Sequence, residues 1–304
     1  MQKWALSLII PALAAAGVTV TEAQSRFGAG EMAGVVESEI VREASGLAAS
    51  RKSAGVLWVH NDSGDAPRIY AMSTKGKHLG AYMLGGAYVF DMEDMAIGPG
   101  PDPNIDYLYL GDIGDNLEER KNVAIYRVAE PAVDVNQTPV TKTLTNVETI
   151  RLKFPNKPHD AETLMVDPLT KDIYILTKQK IGRLYRATWP QQTKGATTME
   201  YLGKVEIEKP TGGDISPDGS EILIRANFGI RLWKRNKGMT IHEALSRPHT
   251  EVPLYLELQG EAICWDANGT GYLTVSEGRH QPIYHFGPAK AEVSDQNNST
   301  GEKE

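Results

Sequence analysis

Short apolar runs recur along this chain in a fixed order. Five segments open on a small or acidic residue and pass into a brief, largely apolar stretch: Ser45-Gly46-Leu47-Ala48, Glu93-Asp94-Met95-Ala96, Glu162-Thr163-Leu164-Met165, Thr211-Gly212-Gly213-Asp214 and Glu261-Ala262-Ile263-Cys264. A second run follows each one, β-branched and aromatic, as in Val56-Leu57-Trp58-Val59 and Ile173-Tyr174-Ile175-Leu176. Bounded by Gly, Asp and Asn, these runs read as strands separated by turns. A third run carries an aromatic in a matching column: Tyr70, Tyr126, Tyr185, Trp233 and Tyr284.

The five openings lie 48, 69, 49 and 50 residues apart, a period that suits one four-stranded sheet per unit. The pattern therefore predicts an all-β, five-bladed β-propeller of four-stranded antiparallel blades, one domain over residues 34–289. Fourth strands are expected at 77–82 and 147–152. The last unit has none after Phe286, so residues 34–41 are expected to supply it and close the ring.

In such a ring the first strand of each blade lines the axis and the second runs back beside it, so first-strand starts and second-strand ends share one face. That face would gather Ser45, Glu93, Glu162, Thr211 and Glu261, with Glu43, Asp91, Asp94, Asp160 and Asp214 close by. From the second strands it would receive His60, Asn61, Asp62, Asp112, Lys178, Arg225 and Glu277. Three glutamates around a narrow axis repel one another and resist ionisation unless a cation or water neutralises them. Oxygen ligands without His or Cys suit calcium, and the two hydroxyl residues would serve as weaker ligands or as partners of bound water. A solvated acidic channel without metal is the alternative.

Lys178 and Arg225 would either hold an anionic small molecule over the metal or neutralise neighbouring acids. Asp112 or His60 would orient a water, and His60 and His159 are each a general base or an ordinary hydrogen-bonding residue. The loops at 60–65 and 111–116 alternate oxygens around a Gly as calcium loops do. Neither has the terminal Glu of an EF-hand, and tight turns use the same residues.

Bulk composition changes this picture little: 41% hydrophobic and 23% charged residues are ordinary for a globular protein. A net charge of −7 disfavours a nucleic-acid surface. The single cysteine, Cys264, sits in an inner-strand position, which excludes an intrachain disulfide and predicts a buried thiol. Lys3 ahead of the apolar run 4–20, then Thr21-Glu22-Ala23, read as a signal peptide over 1–23. A membrane anchor is the alternative, weakened by Pro11 and a length near the lower limit for a span. The expectation is a periplasmic or secreted monomer with no stable membrane insertion after cleavage, ending in a disordered tail at 290–304. No nucleophile elbow, phosphate loop, dinucleotide fingerprint or zinc-type cluster is present.

The order hydroxyl, Glu, Glu, hydroxyl, Glu at Ser45, Glu93, Glu162, Thr211 and Glu261 is similar to the central calcium column of the apyrase-like calcium-activated nucleotidases, five-bladed propellers of the secretory pathway. The segment Glu93-Asp94-Met95-Ala96 followed by Tyr107-Leu108-Tyr109-Leu110-Gly111 also resembles that family's second blade. The resemblance implies an axial calcium and hydrolysis of phosphate anhydrides. Asn61-Asp62-Ser63-Gly64-Asp65 and Gly111-Asp112-Ile113-Gly114-Asp115-Asn116 resemble segments of uncharacterised secreted bacterial propellers, which implies location more than chemistry. Two functions follow: a secreted calcium-dependent hydrolase of a phosphorylated or other anionic small molecule, or a non-catalytic module whose axial calcium locks the ring while its faces bind a protein or glycan.

Overall fold

Alternate residues of a strand point to opposite faces of its sheet, and here both faces are apolar. Leu47 and Ala48, Met95 and Ala96, Leu164 and Met165, and Ile263 and Cys264 are neighbouring pairs in which both side chains are buried. A sheet that is apolar on both sides has to be covered on both sides, and a closed ring of blades does this for every sheet at once. The computed structural model of the protein, which describes residues 26–289 apart from 256 and 258, consists of five sheets in such a ring. The signal peptide expected at 1–23 and the tail at 290–304 lie outside the described residues.

Blade 1 is built from Ala44–Ala49, Val56–Asn61, Arg68–Ser73 and His78–Leu84, and blade 2 from Met92–Pro99, Asp106–Asp112, Val123–Ala129 and Glu148–Lys153. Blade 3 is Ala161–Val166, Ile173–Thr177, Gly182–Ala187 and Glu200–Val205; blade 4 is Pro210–Ile215, Glu221–Ala226, Gly229–Lys234 and Thr250–Val252. Blade 5 takes Gly260–Trp265, Tyr272–Ser276 and Pro282–Phe286 from the end of the chain and Glu31–Val35 from its beginning. The first strands of successive blades adjoin one another, and that of blade 5 adjoins that of blade 1.

Five apolar clusters occupy the five interfaces between blades. Leu47 packs with Cys264 and Val275 between blades 5 and 1, whereas its neighbour Ala48 packs with Met95 and Leu110 between blades 1 and 2. The same split sends Leu164 to Tyr109 and Met165 to Trp233, and Ile263 to Leu223 and Trp265 between blades 4 and 5. Each fully buried Leu or Ile contributes roughly 1.5–3 kcal/mol. Stability therefore resides between the blades and leaves the axis free for polar groups. Cys264 is buried, as its inner-strand position requires.

Two departures from the expected pattern have local causes. The long spacing between Glu93 and Glu162 accommodates Val140–Leu144, which adds a fifth, parallel strand to the edge of blade 1, and Ala196–Thr198 does the same for blade 2. The closing strand is Glu31–Val35, earlier than the expected 34–41, and pairs antiparallel with Pro282–Phe286 from Glu31 opposite His285 to Val35 opposite Pro282. Beyond Val35 the chain leaves that ladder, because the Val36 amide donates to Gln281 O (3.0 Å) and that of Glu37 to Gly76 O (3.0 Å). Phe27 anchors the start of this segment edge-on to Tyr272, with ring centroids 4.9 Å apart. The one helix among the described residues is Ile241–Leu245, closed by a capping box between Thr240 and Glu243. No described helix is long and apolar enough to cross a membrane.

Candidate metal centre

The pairing of first and second strands skips one residue near the start of every blade. The skipped residues are Ser45, Glu93, Glu162, Thr211 and Glu261. A bulged residue has no partner across the ladder and its side chain is re-aimed. The five positions singled out in the sequence are therefore equivalent in structure, and each owes its direction to the same distortion.

The side chains at these positions divide into two groups. The Ser45 hydroxyl donates to the carbonyl of Glu93, and that of Thr211 donates to Gly260 O at 3.3 Å. Each hydroxyl thus ties its strand to the first strand of the next blade and leaves only its oxygen lone pairs to face a cation. The three glutamates do converge. They are joined by Asp91, two residues before Glu93, and by Asp62, just past the second strand of blade 1. Asp62, Asp91 and Glu93 each place a carboxylate oxygen within 4.8 Å of the other two.

Crowding and burial make these groups reluctant to ionise. Burial, then Asp62 and Asp160, raise Asp91 to about 6. Burial, then the charges of Glu162, Asp62 and Asp91, push Glu93 to about 11. Glu162 is raised to about 7 by burial even though Lys178 pulls it down, and Glu261 to about 8 by burial and the charge of Glu277. Burial raises Asp62 and Glu277 as well. The Lys178 ammonium pairs with Glu162 Oε1. Burial works against its charge, but Glu162, Glu261 and Glu93 together hold its pKa above the ordinary lysine value.

Two carboxylate oxygens of the cluster have no hydrogen-bond partner among the described residues. Glu162 is 4% exposed, and its Oε2 makes no hydrogen bond among the described residues; Glu261 Oε2 is buried and likewise unpartnered. A buried anionic oxygen in that state is costly unless something neutralises it. The donor set is all oxygen and negatively charged, the chemistry of a hard divalent cation. The loop at 111–116 also fits the cluster closely: a Cβ on Gly114 would collide with Glu93 Oε1 and Asp91 Oδ2.

The residues proposed for catalysis behave differently. Arg225 is wholly buried, not open to the funnel: its guanidinium pairs with Glu257 (2.5 Å) and donates to Ala262 O (3.1 Å), packed where Gly260 lacks a side chain. Asp112 accepts from the amides of Phe90 (3.1 Å) and Asp91 (2.9 Å) and pairs with Arg120 (2.9 Å), which makes it a brace for the loop carrying Asp91. His60 is wholly buried against Gly46, and desolvation lowers its pKa to about 4, so it is a neutral packing group. His159 is also buried, edge-on to Phe154 and bonded to Asn156 Oδ1 (3.2 Å). Of these candidates, Lys178 alone lies at the cluster.

Apart from Asp62, which reaches the cluster, and the brace Asp112, the carboxylates of the two candidate calcium loops are engaged within their own turns. Asp65 accepts from Tyr70 OH (2.6 Å), Asn61 Nδ2 (2.9 Å) and the Arg68 guanidinium, and Asp115 accepts from the amides of Glu119 (2.9 Å) and Arg120 (2.8 Å). Asp94 and Asp214 also leave the cluster. Asp94 Oδ2 accepts from Leu164 N (2.9 Å) and Gly213 N (3.2 Å), linking blades 2, 3 and 4, and Asp214 accepts from Trp265 N (2.9 Å). Asp62 and Asp91 were visible in the sequence as neighbours of the column but not as its closest members. Glu257 had no signal, since nothing along the chain relates it to Arg225.

No family model and no curated protein matches this chain. Among solved structures it is similar to a chain of a nidogen/laminin complex, with 12% identity, a TM-score of 0.45, and coverage of 78% of this chain and 73% of that one. It is also similar to a candidate 6-phosphogluconolactonase from Bacteroides uniformis, with 10% identity, a TM-score of 0.40, and coverage of 82% and 68%. Neither likeness adds to what the strand pairings already show.

Proposed function

We propose that this protein is a calcium-binding β-propeller that holds its cation at one end of the axis, in the extracytoplasmic location expected from residues 1–23, and presents it to an anionic ligand. The observation that carries the reading is the group Asp62, Asp91 and Glu93, with oxygens within 4.8 Å of one another and the buried, unpartnered Glu162 Oε2 beside it. Calcium accepts six to eight oxygens in flexible geometry, which suits carboxylates delivered by a loop, a turn and bulged strands. Glu261 and Glu277 add negative charge around the same site.

Calorimetric titration of calcium into chelator-stripped protein is the direct test. Saturable binding is expected, weakened at least about tenfold, or 1.4 kcal/mol, in the Asp91→Asn/Glu93→Gln double variant. Wild-type protein that takes up no calcium would overturn the reading.

Hydrolysis of an anionic small molecule is the second reading, favoured by Lys178, whose side chain is 28% exposed beside the cluster. Bound calcium would supply Lewis-acid charge, while Lys178 would hold the substrate's negative charge as a point cation. Arg225, Asp112 and His60 are engaged elsewhere, so this chemistry would rest on fewer groups than the sequence implied. Phosphate esters, nucleotides and lactones, assayed with calcium and with chelator, decide between the readings. If turnover occurs, Lys178→Ala should lower kcat/KM about tenfold or more and tighten calcium binding, because a cation leaves the site. No turnover of any compound leaves the protein a binding module.

A further inference from the structure

On the same end of the propeller, away from the axis, a cavity of about 250 Å³ opens beside the loop joining blades 1 and 2, lined by Tyr88, Phe90, Arg120, Asn122, Tyr126 and Arg151 among others. Tyr88 is 71% and Phe90 63% exposed. Their rings meet edge to face, with centroids 5.0 Å apart at 82°.

These aromatics are held outward by polar contacts beneath them. The Tyr126 hydroxyl donates to Tyr88 O and accepts from Tyr88 N (3.3 Å). The amides of Phe90 and Asp91 bind Asp112, and Asp112 is held by Arg120, whose guanidinium lies 5.3 Å from the Phe90 ring centre. A loop anchored at both rings presents apolar faces with little entropy left to lose when something lands on them. The side chain of Arg151, on the Glu148–Lys153 strand of blade 2, is exposed and makes no hydrogen bond or ion pair among the described residues. Arg120 is committed to Asp112 and Gly114 O (2.6 Å), so the cavity's free positive charge is Arg151.

We propose that this cavity binds an acidic sugar unit, a single pyranose ring bearing a carboxylate. The volume lies below the roughly 300–1,000 Å³ of pockets for drug-sized ligands, and so suits one ring. The C–H face of the sugar lies on the exposed aromatic surface, which gains by covering apolar area. The carboxylate takes the two-pronged guanidinium of Arg151. Asn122 and Thr149, both in the lining, are left for ring hydroxyls. A bare inorganic anion would have no use for the rings, and a neutral sugar none for Arg151. The site stands independently of calcium on the axis, although the two meet at the Phe90–Asp91 peptide.

Calorimetric or NMR titration of the full chain with D-glucuronate, D-glucose, benzoate and inorganic phosphate tests this. Glucuronate is expected to bind saturably, and glucose and phosphate at least about tenfold more weakly. Arg151→Ala and Tyr88→Ala, both at exposed side chains, should each weaken glucuronate about tenfold or more with the melting temperature unchanged. Arg151→Lys should recover part of the loss. The proposal is overturned if glucuronate does not bind, if glucose or phosphate binds equally well, or if both Ala variants bind like the wild type. Binding of benzoate without glucuronate would overturn the sugar assignment.

Discussion

In the presence of chelator, the melting temperature is expected to fall as pH rises from about 6.5 to 8, and saturating calcium is expected to remove or reverse that slope. Glu162 and Glu261 have folded-state pKa values of about 7 and 8, above the ordinary 4.5. Between the unfolded and folded values the unfolded chain has released these protons while the folded chain keeps them. The folded state then binds more protons, so stability falls as pH rises. His60, buried and neutral with a pKa near 4, acts oppositely, but only below its ordinary value of 6.5, which sets the lower bound of the window. The paired carboxylates of Asp65 and Asp266, with lowered pKa values, lose their contribution at still lower pH.

Bound calcium would take the ionised carboxylates and so favour the state that high pH creates. At a concentration near a hundred times its Kd it would add about 2.7 kcal/mol, which for a domain of this size is roughly 5–10 °C in Tm. The triple variant Glu93→Gln, Glu162→Gln and Glu261→Gln should lose the calcium shift and flatten the slope to what remains from Asp214, which burial raises to about 7. It also separates the cluster from His280, whose raised pKa contributes in the same direction. Thermal melts across this range, with and without calcium, make the measurement. Apo stability that rises with pH here would mean that the carboxylates ionise comfortably without a cation.

Replacing either member of the Arg225–Glu257 pair is expected to have the largest effect on folding. Their side chains are 1% and 4% exposed, so removing one leaves an uncompensated charge in the interior, which costs about 3–5 kcal/mol. For a domain of this size that is a fall of roughly 6–20 °C in Tm. Replacing both together, as Arg225→Met with Glu257→Leu, should recover most of the loss, because no charge is then stranded. Calcium affinity in the double variant should stay close to that of the wild type, since Arg225 is turned into the protein and away from ligand. Single and double variants with simply additive losses would show that the pair is not coupled. Stable single variants that lose ligand binding would restore Arg225 to the site.

Much of the architecture was legible along the chain because propeller blades repeat, and repetition is a one-dimensional signal. The aromatic column Tyr70, Tyr126, Tyr185, Trp233 and Tyr284 and the recurring openings define five blades before any contact is known. The closing strand was expected from the incomplete last unit, but its register was displaced, since pairing depends on where Val36 and Glu37 find partners outside the ladder. The strand at Val140–Leu144 was hidden for a related reason: it belongs to the edge of a blade preceding its own in sequence.

By itself the sequence determined the fold, the ring order and the five equivalent positions Ser45, Glu93, Glu162, Thr211 and Glu261. These depend on local periodicity and on the spacing of units, which the chain carries whatever its neighbours do. Tertiary structure alone decided which polar groups remain available. Ser45 and Thr211 are drawn off by backbone carbonyls of the next blade, Arg225 by Glu257, and Asp112 by two amides and Arg120. Glu93, Glu162 and Glu261 gather with Asp62 and Asp91 into a crowded acidic site. The physical reason is that a hydrogen bond or charge pair is settled by whichever partner the fold brings within about 3 Å, and for these residues that partner lies in another strand, loop or blade.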